Sequence, residues 1–151
     1  MRYFILFVRL FLFATLLSGC AIASSIIDSY KKVGVTESDR IGLLEEHVKE
    51  FHQGIYWNKP EYALKYTAPE GRQVVLNKIK AKKNSERIVS SEVSGVEFTN
   101  EAYDADVEVS VKFYKIPRYI VEERTEKERW HFSTPFGWKF ISSKIYSPPD
   151  E

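Results

Sequence analysis

The spacing of apolar residues changes once along this chain, near Asn84, from helical to alternating, and that switch limits the folds open to it. Before it, Ile41, Leu44, Val48, Phe51 and Ile55 recur at steps of three and four, forming one stripe of an amphipathic helix. Asp39 suits the N-cap, so a helix is predicted over Arg40–Tyr56. Asn58-Lys59-Pro60 breaks it, and Pro60 opens a short second helix to about Tyr66. Pro69 opens a third, with Val75, Leu76 and Ile79 facing inward, ending near Lys83-Asn84. After the switch, Ile88–Thr99 reads as a strand with a bulge or bend at Gly95. Ala105–Lys115 alternates cleanly, with Val107, Val109, Val111 and Phe113 on one face and Asp106, Glu108, Ser110 and Lys112 on the other. Two more strands, about Tyr119–Phe132 and Gly137–Ile145, flank the turn Ser133-Thr134-Pro135-Phe136. Helices followed by a meander predict an α+β fold: N-terminal helices packed on a curved antiparallel sheet.

The helix Arg40–Tyr56, the segment YWNKPEYALKYTAPEG from Tyr56 to Gly71, and the closing ERWHFSTPFGWKFIS from Glu128 to Ser142 together resemble the nuclear transport factor 2-like superfamily. The resemblance lies in element order and aromatic placement and runs from Arg40 to Ile145. It implies a cone-like domain whose mouth can hold a small hydrophobic ligand. Some members are isomerases, dehydratases or cyclases using a pocket Asp or His, and many others are binding or assembly modules, so the fold does not choose the function.

The N-terminal segment supplies an address. Leu10–Leu17 suits the apolar region of an export signal, preceded by a segment carrying Arg2 and Arg9. Arg9 would cost a spanning helix roughly 2.5–3.5 kcal/mol. Leu17-Ser18-Gly19-Cys20 then resembles the lipobox of bacterial lipoproteins, which implies cleavage before Cys20 and lipid attachment to its thiol. Ala21-Ile22-Ala23 offers a competing signal-peptidase site that would release a soluble protein. The expected organisation is a signal peptide over 1–19, a lipidated cysteine and tether over 20–38, a domain over 39–146 and a tail over 147–151. Cys20 is the only cysteine, so no intramolecular disulfide is available. The expected location is the cell envelope, with the outer membrane facing the periplasm implied by Ala21 if the host has two membranes.

Removal of residues 1–19 leaves 20 basic against 21 acidic residues, a balance that argues against nucleic acid as a partner. Lys78, Lys80, Lys82, Lys83 and Arg87 read as a solvated helix face or as a patch for anionic headgroups. His52 lies beside the apolar helical stripe, where it must find a partner or face a cavity. Glu128 shares a strand face with Trp130, placing it on the pocket side or in an ion pair near the rim. Tyr56, Trp57, Tyr62 and Tyr66 cluster around the first helix break, as pocket wall or as core. The three histidines lack metal spacing, and no catalytic motif or cofactor site is evident. These features predict a non-enzymatic envelope lipoprotein held at the membrane through Cys20, meeting an envelope protein or a second copy of itself. The alternative is binding, or less directly transformation, of a small apolar ligand in a cavity bordered by His52, Tyr66 and Trp130.

Overall fold

The computed structural model describes residues 31, 33–84 and 86–146. The expected signal peptide, the lipobox with Cys20, the tether over 20–30 and the tail over 147–151 lie outside the described residues. The chain forms an α+β domain, with α1 (Glu37–Tyr56), α2 (Pro60–Lys65), a single 3-10 turn (Pro69–Gly71) and α3 (Arg72–Asn84) preceding β1 (Glu86–Thr99), β2 (Asp104–Lys115), β3 (Val121–Ser133) and β4 (Gly137–Tyr146). All strand pairs are antiparallel and follow chain order, so the sheet is a meander with β1 and β4 at its edges.

Helix α1 starts one turn earlier than Asp39 suggests. Thr36 is the cap and Asp39 closes a capping box: the Thr36 hydroxyl oxygen accepts from the Asp39 amide, and the Asp39 carboxylate accepts from the Thr36 amide. The stripe is also rotated at its start. Leu44, Val48, Phe51 and Ile55 are buried as the spacing predicts, but Ile41 is exposed and Arg40 is inside. Arg40 enters because four backbone carbonyls receive it: Nε donates to Ala102 at 3.1 Å, one terminal nitrogen to Gly34 and Val35 at 3.2 Å each, and the other to Glu101 at 2.6 Å. Its guanidinium also lies 4.1 Å from the centre of the Tyr103 ring.

These bonds set the N-terminal boundary. Gly34 has φ +68°, and a Cβ there would come within 2.4 Å of the Phe132 ring. The chain is therefore docked on the domain by Gly34, short of the expected boundary at Asp39. The same guanidinium grips the β1–β2 turn, where Asn100, Glu101 and Ala102 all have left-handed backbones.

The core lies between α1 and the concave face of β2, β3 and β4. Phe51 stacks on Phe140 at 4.8 Å and meets Trp130 edge-on at 5.2 Å. Ala105, Val107, Val109, Val111 and Phe113 are buried along β2, as the alternation predicts. Residues Tyr66 and Ala68 bond to both sides of Phe140 and cover part of the β4 edge. Opposite, register shifts between Ile88 and Ser90 and between Val93 and Gly95 bend β1, and the second falls at the glycine the sequence singles out. β1 thus stands away from α1.

Candidate functional site

The gap between β1 and α1 is a cleft of about 830 Å³, lined on the helix by Ile41, Leu44, Val48, His52 and Tyr56 and on the sheet by valines and Phe98. Val89, Val93 and Val96 are between 42% and 45% exposed although they face this gap. The floor is β2, through Val107 and Val109, and the rim is polar, with Glu45, Lys49, Gln53, Ser90, Ser91 and Glu92. An apolar floor with a polar edge at this volume falls within the range of about 300–1,000 Å³ usual for small-molecule sites.

His52 closes one part of the cleft and joins it to a charge network behind. Its Nε2 lies 3.2 Å from Glu128 Oε2, and the same oxygen accepts a hydrogen bond from Trp130 Nε1 at 3.2 Å. The other Glu128 oxygen accepts from Lys78 Nζ at 3.3 Å. Lys78 also donates to Glu126, which pairs with Arg124 at 2.7 Å, and Arg124 makes a two-pronged pair with Glu86 at 2.7 and 2.9 Å. Helices α1 and α3 supply His52 and Lys78, and β3 supplies three members two residues apart on its inner face. A smaller hollow of about 390 Å³ lies over the Lys78, Arg124 and Glu126 part of this network.

Glu128 is 1% exposed. Burial alone would push its carboxyl up, but the attraction of His52 and of Lys78, with the hydrogen bonds to His52 and from Trp130, holds it down at about 2. Burial also pushes Glu126 up, and Lys78 and Arg124 overcome it. Lys78 and Arg124 face Glu86, Glu126 and Glu128, two cations against three carboxylates. Every buried side-chain nitrogen and oxygen among the described residues has a partner.

The residues chosen from the sequence separate into groups. His52 and Tyr56 line the cleft, and Glu128 stands behind His52 instead of at the rim. Trp130 is sealed in the core. Tyr66 is buried against His47, with ring centres 5.0 Å apart, and donates to Glu50. Neither lines the two hollows that His52 borders. Trp57 and Tyr62 flank a small surface hollow with Lys59. His47 accepts from the Trp138 amide and His131 pairs with Asp104, so the three histidines have separate partners. Lys78, read from the sequence as part of a solvated or headgroup-binding face, turns inward; its signal was only a cation three residues after Val75 and one before Ile79.

No protein-family model matches the chain, and no curated sequence matches it. Among solved structures it is similar to the crystal structure of the intermembrane space region of the chloroplast protein ARC6, with a TM-score of 0.53 and 12% identity over 70% of this chain and 95% of that one. At that identity the likeness is one of fold.

Proposed function

We propose that this chain is a cell-envelope lipoprotein, tethered through Cys20, whose nuclear transport factor 2-like cone binds an elongated apolar molecule in the α1–β1 cleft. One observation carries the binding reading: three valines of β1 face the apolar stripe of α1 across open space instead of packing against it. Filling such a space removes apolar surface from water at about 25 cal/mol per Å². The order of helices and meander supports the family assignment, the lipobox supports the tether, and an envelope location, at the outer membrane if the host has two, follows from that tether.

Binding is favoured over chemistry because Glu128 is held ionised far below the neutral range in which a general base works best, with both oxygens committed. Self-association through the outer sheet face has weaker support. That face pairs its own charges, Lys127 with Glu108 at 2.8 Å and Arg129 with Asp106 at 3.3 Å, and offers no apolar centre.

The test is the mass of full-length protein extracted from its membrane, recorded gently and then denatured. The denatured mass should begin at Cys20 and include acyl chains. The gentle spectrum should carry an additional apolar molecule, absent from Val93→Glu while that variant melts within about 0.5 kcal/mol of the parent. A parent that carries no such mass and binds no fluorescent fatty acid would remove the cleft reading while leaving the tether standing.

A further inference from the structure

The connection between β2 and β3 is the least expected surface of the domain. It reads Ile116-Pro117-Arg118-Tyr119-Ile120 and leads into Val121, the first residue of β3. A loop at this place is ordinarily polar, because nothing covers it. Here Tyr119 is 74%, Ile120 68% and Val121 56% exposed, three apolar or aromatic residues in succession. Ile116 adds a fourth exposed side chain, and Tyr119 leans on Tyr114 with ring centres 5.6 Å apart.

The tip is also uncovered on its β4 side. Glu86, the first residue of β1, pairs with Lys115, and Tyr146, the last of β4, pairs with Thr125. β4 thus ends four residues short of Val121, while β1 runs to the last residue of β2 and stops one residue before Ile116. Lys115 and Arg118 flank the apolar residues; Glu122 lies 3.8 Å from Lys115, and Glu123 accepts from Ser110 further down the strands. Arg118 has no acidic partner among the described residues. An exposed apolar tip beside cations matches a bilayer interface, with Tyr at headgroup depth, Ile and Val below it and Arg among phosphates.

We propose that the Ile116–Val121 hairpin tip is a second membrane contact, inserting into the headgroup region of the bilayer that holds the lipid anchor. This rests on the tethered reading given above. The two contacts are geometrically compatible. The docked chain starts at Gly34, beside Arg40 and the β1–β2 turn, and β2, 12 residues long, carries the sheet about 40 Å from there to the tip. Lys31 and Val33 are helical, and the eleven residues from Cys20 to Tyr30 span at most about 40 Å. Both ends can reach one bilayer with the domain lying along it.

The experiment uses full-length lipidated protein in vesicles of phosphatidylethanolamine and phosphatidylglycerol. Cys20 is the only cysteine, so Ile120→Cys introduces one addressable thiol for an environment-sensitive dye, with Asp106→Cys on the outer face as the control. The Ile120→Cys dye should shift to the blue and be quenched by nitroxide lipids at least fivefold more than the control. In the otherwise native chain, Ile120→Asp should abolish membrane-dependent protection of the hairpin from hydrogen exchange while leaving the melting curve unchanged. Equal quenching at the two positions overturns the proposal. Burial of the dye in native membranes but not in pure lipid also overturns it, since the occupant would then be a protein. The intact mass of each sample reports the lipid on Cys20 separately, so a missing anchor is not mistaken for a failed hairpin.

Discussion

Arg40 and Glu128 are both buried charged side chains, and they are held by different means. Arg40 has backbone carbonyls and aromatic faces around it in place of a carboxylate. Lysine cannot span those positions, so Arg40→Lys is expected to lower stability by about 3 kcal/mol in denaturant titrations, with faster hydrogen exchange over Asn100–Tyr103. Glu128 instead depends on neighbouring charges. Its carboxyl is held at about 2 against an ordinary 4.5, so its contribution is present above the ordinary value and is lost as pH falls from about 4.5 towards 2. Glu126 works in the same direction. Across that window the parent should lose on the order of 3 kcal/mol through Glu128, and Glu128→Gln should show a flatter acid limb from a lower neutral plateau, as read by denaturant midpoints at each pH. His52→Ala should cost about 1–3 kcal/mol, because it removes a partner from a buried carboxylate. A histidine that only lined a ligand site would have no such cost.

The crossing of α1 and α2 depends on an absence of side chain. A Cβ on Gly54 would stand 2.6 Å from the backbone nitrogen of Ala63, which belongs to the helix that must lie against it. Gly54→Ala should therefore cost about 1–3 kcal/mol and shift the α2 amide resonances, despite alanine's better helix propensity. Most elements were legible in the sequence because their periods were unmixed: β2 alternates without interruption, and the prolines at 60 and 69 stand where new helical turns begin. The start of α1 was less legible. Ile41 fits the stripe by spacing, but Arg40 takes the inside position because the carbonyls that receive it come from a turn some sixty residues later. The face of Glu128 could be read from Trp130 two residues on; its partners could not, since Lys78 and His52 arrive from two separate helices. The cleft was hidden for a related reason. Alternation identifies strand β1 but does not say that its bulges carry it away from α1.

At the scale of the molecule, the domain has a closed side and an open one. Trp130, Phe132, Trp138 and Phe140 join α1 to β3 and β4 on the closed side, while β1 forms the wall of a cleft on the other, joined to the core through Ile88 and Phe98. Substitutions should follow that division: Trp138→Ala is expected to cost about 3–5 kcal/mol, in contrast to the near-neutral Val93→Glu, when both are followed by thermal melting. The grip of Arg40 on Gly34 and Val35 has a mechanical consequence. Any load arriving along the chain from its N-terminal side is met first at this guanidinium, which shares it between the first helical turn and the β1–β2 corner. The clasp ties the entering chain to the β1–β2 corner beside the Phe132 ring, so Arg40 acts as a strain relief where the chain enters the domain.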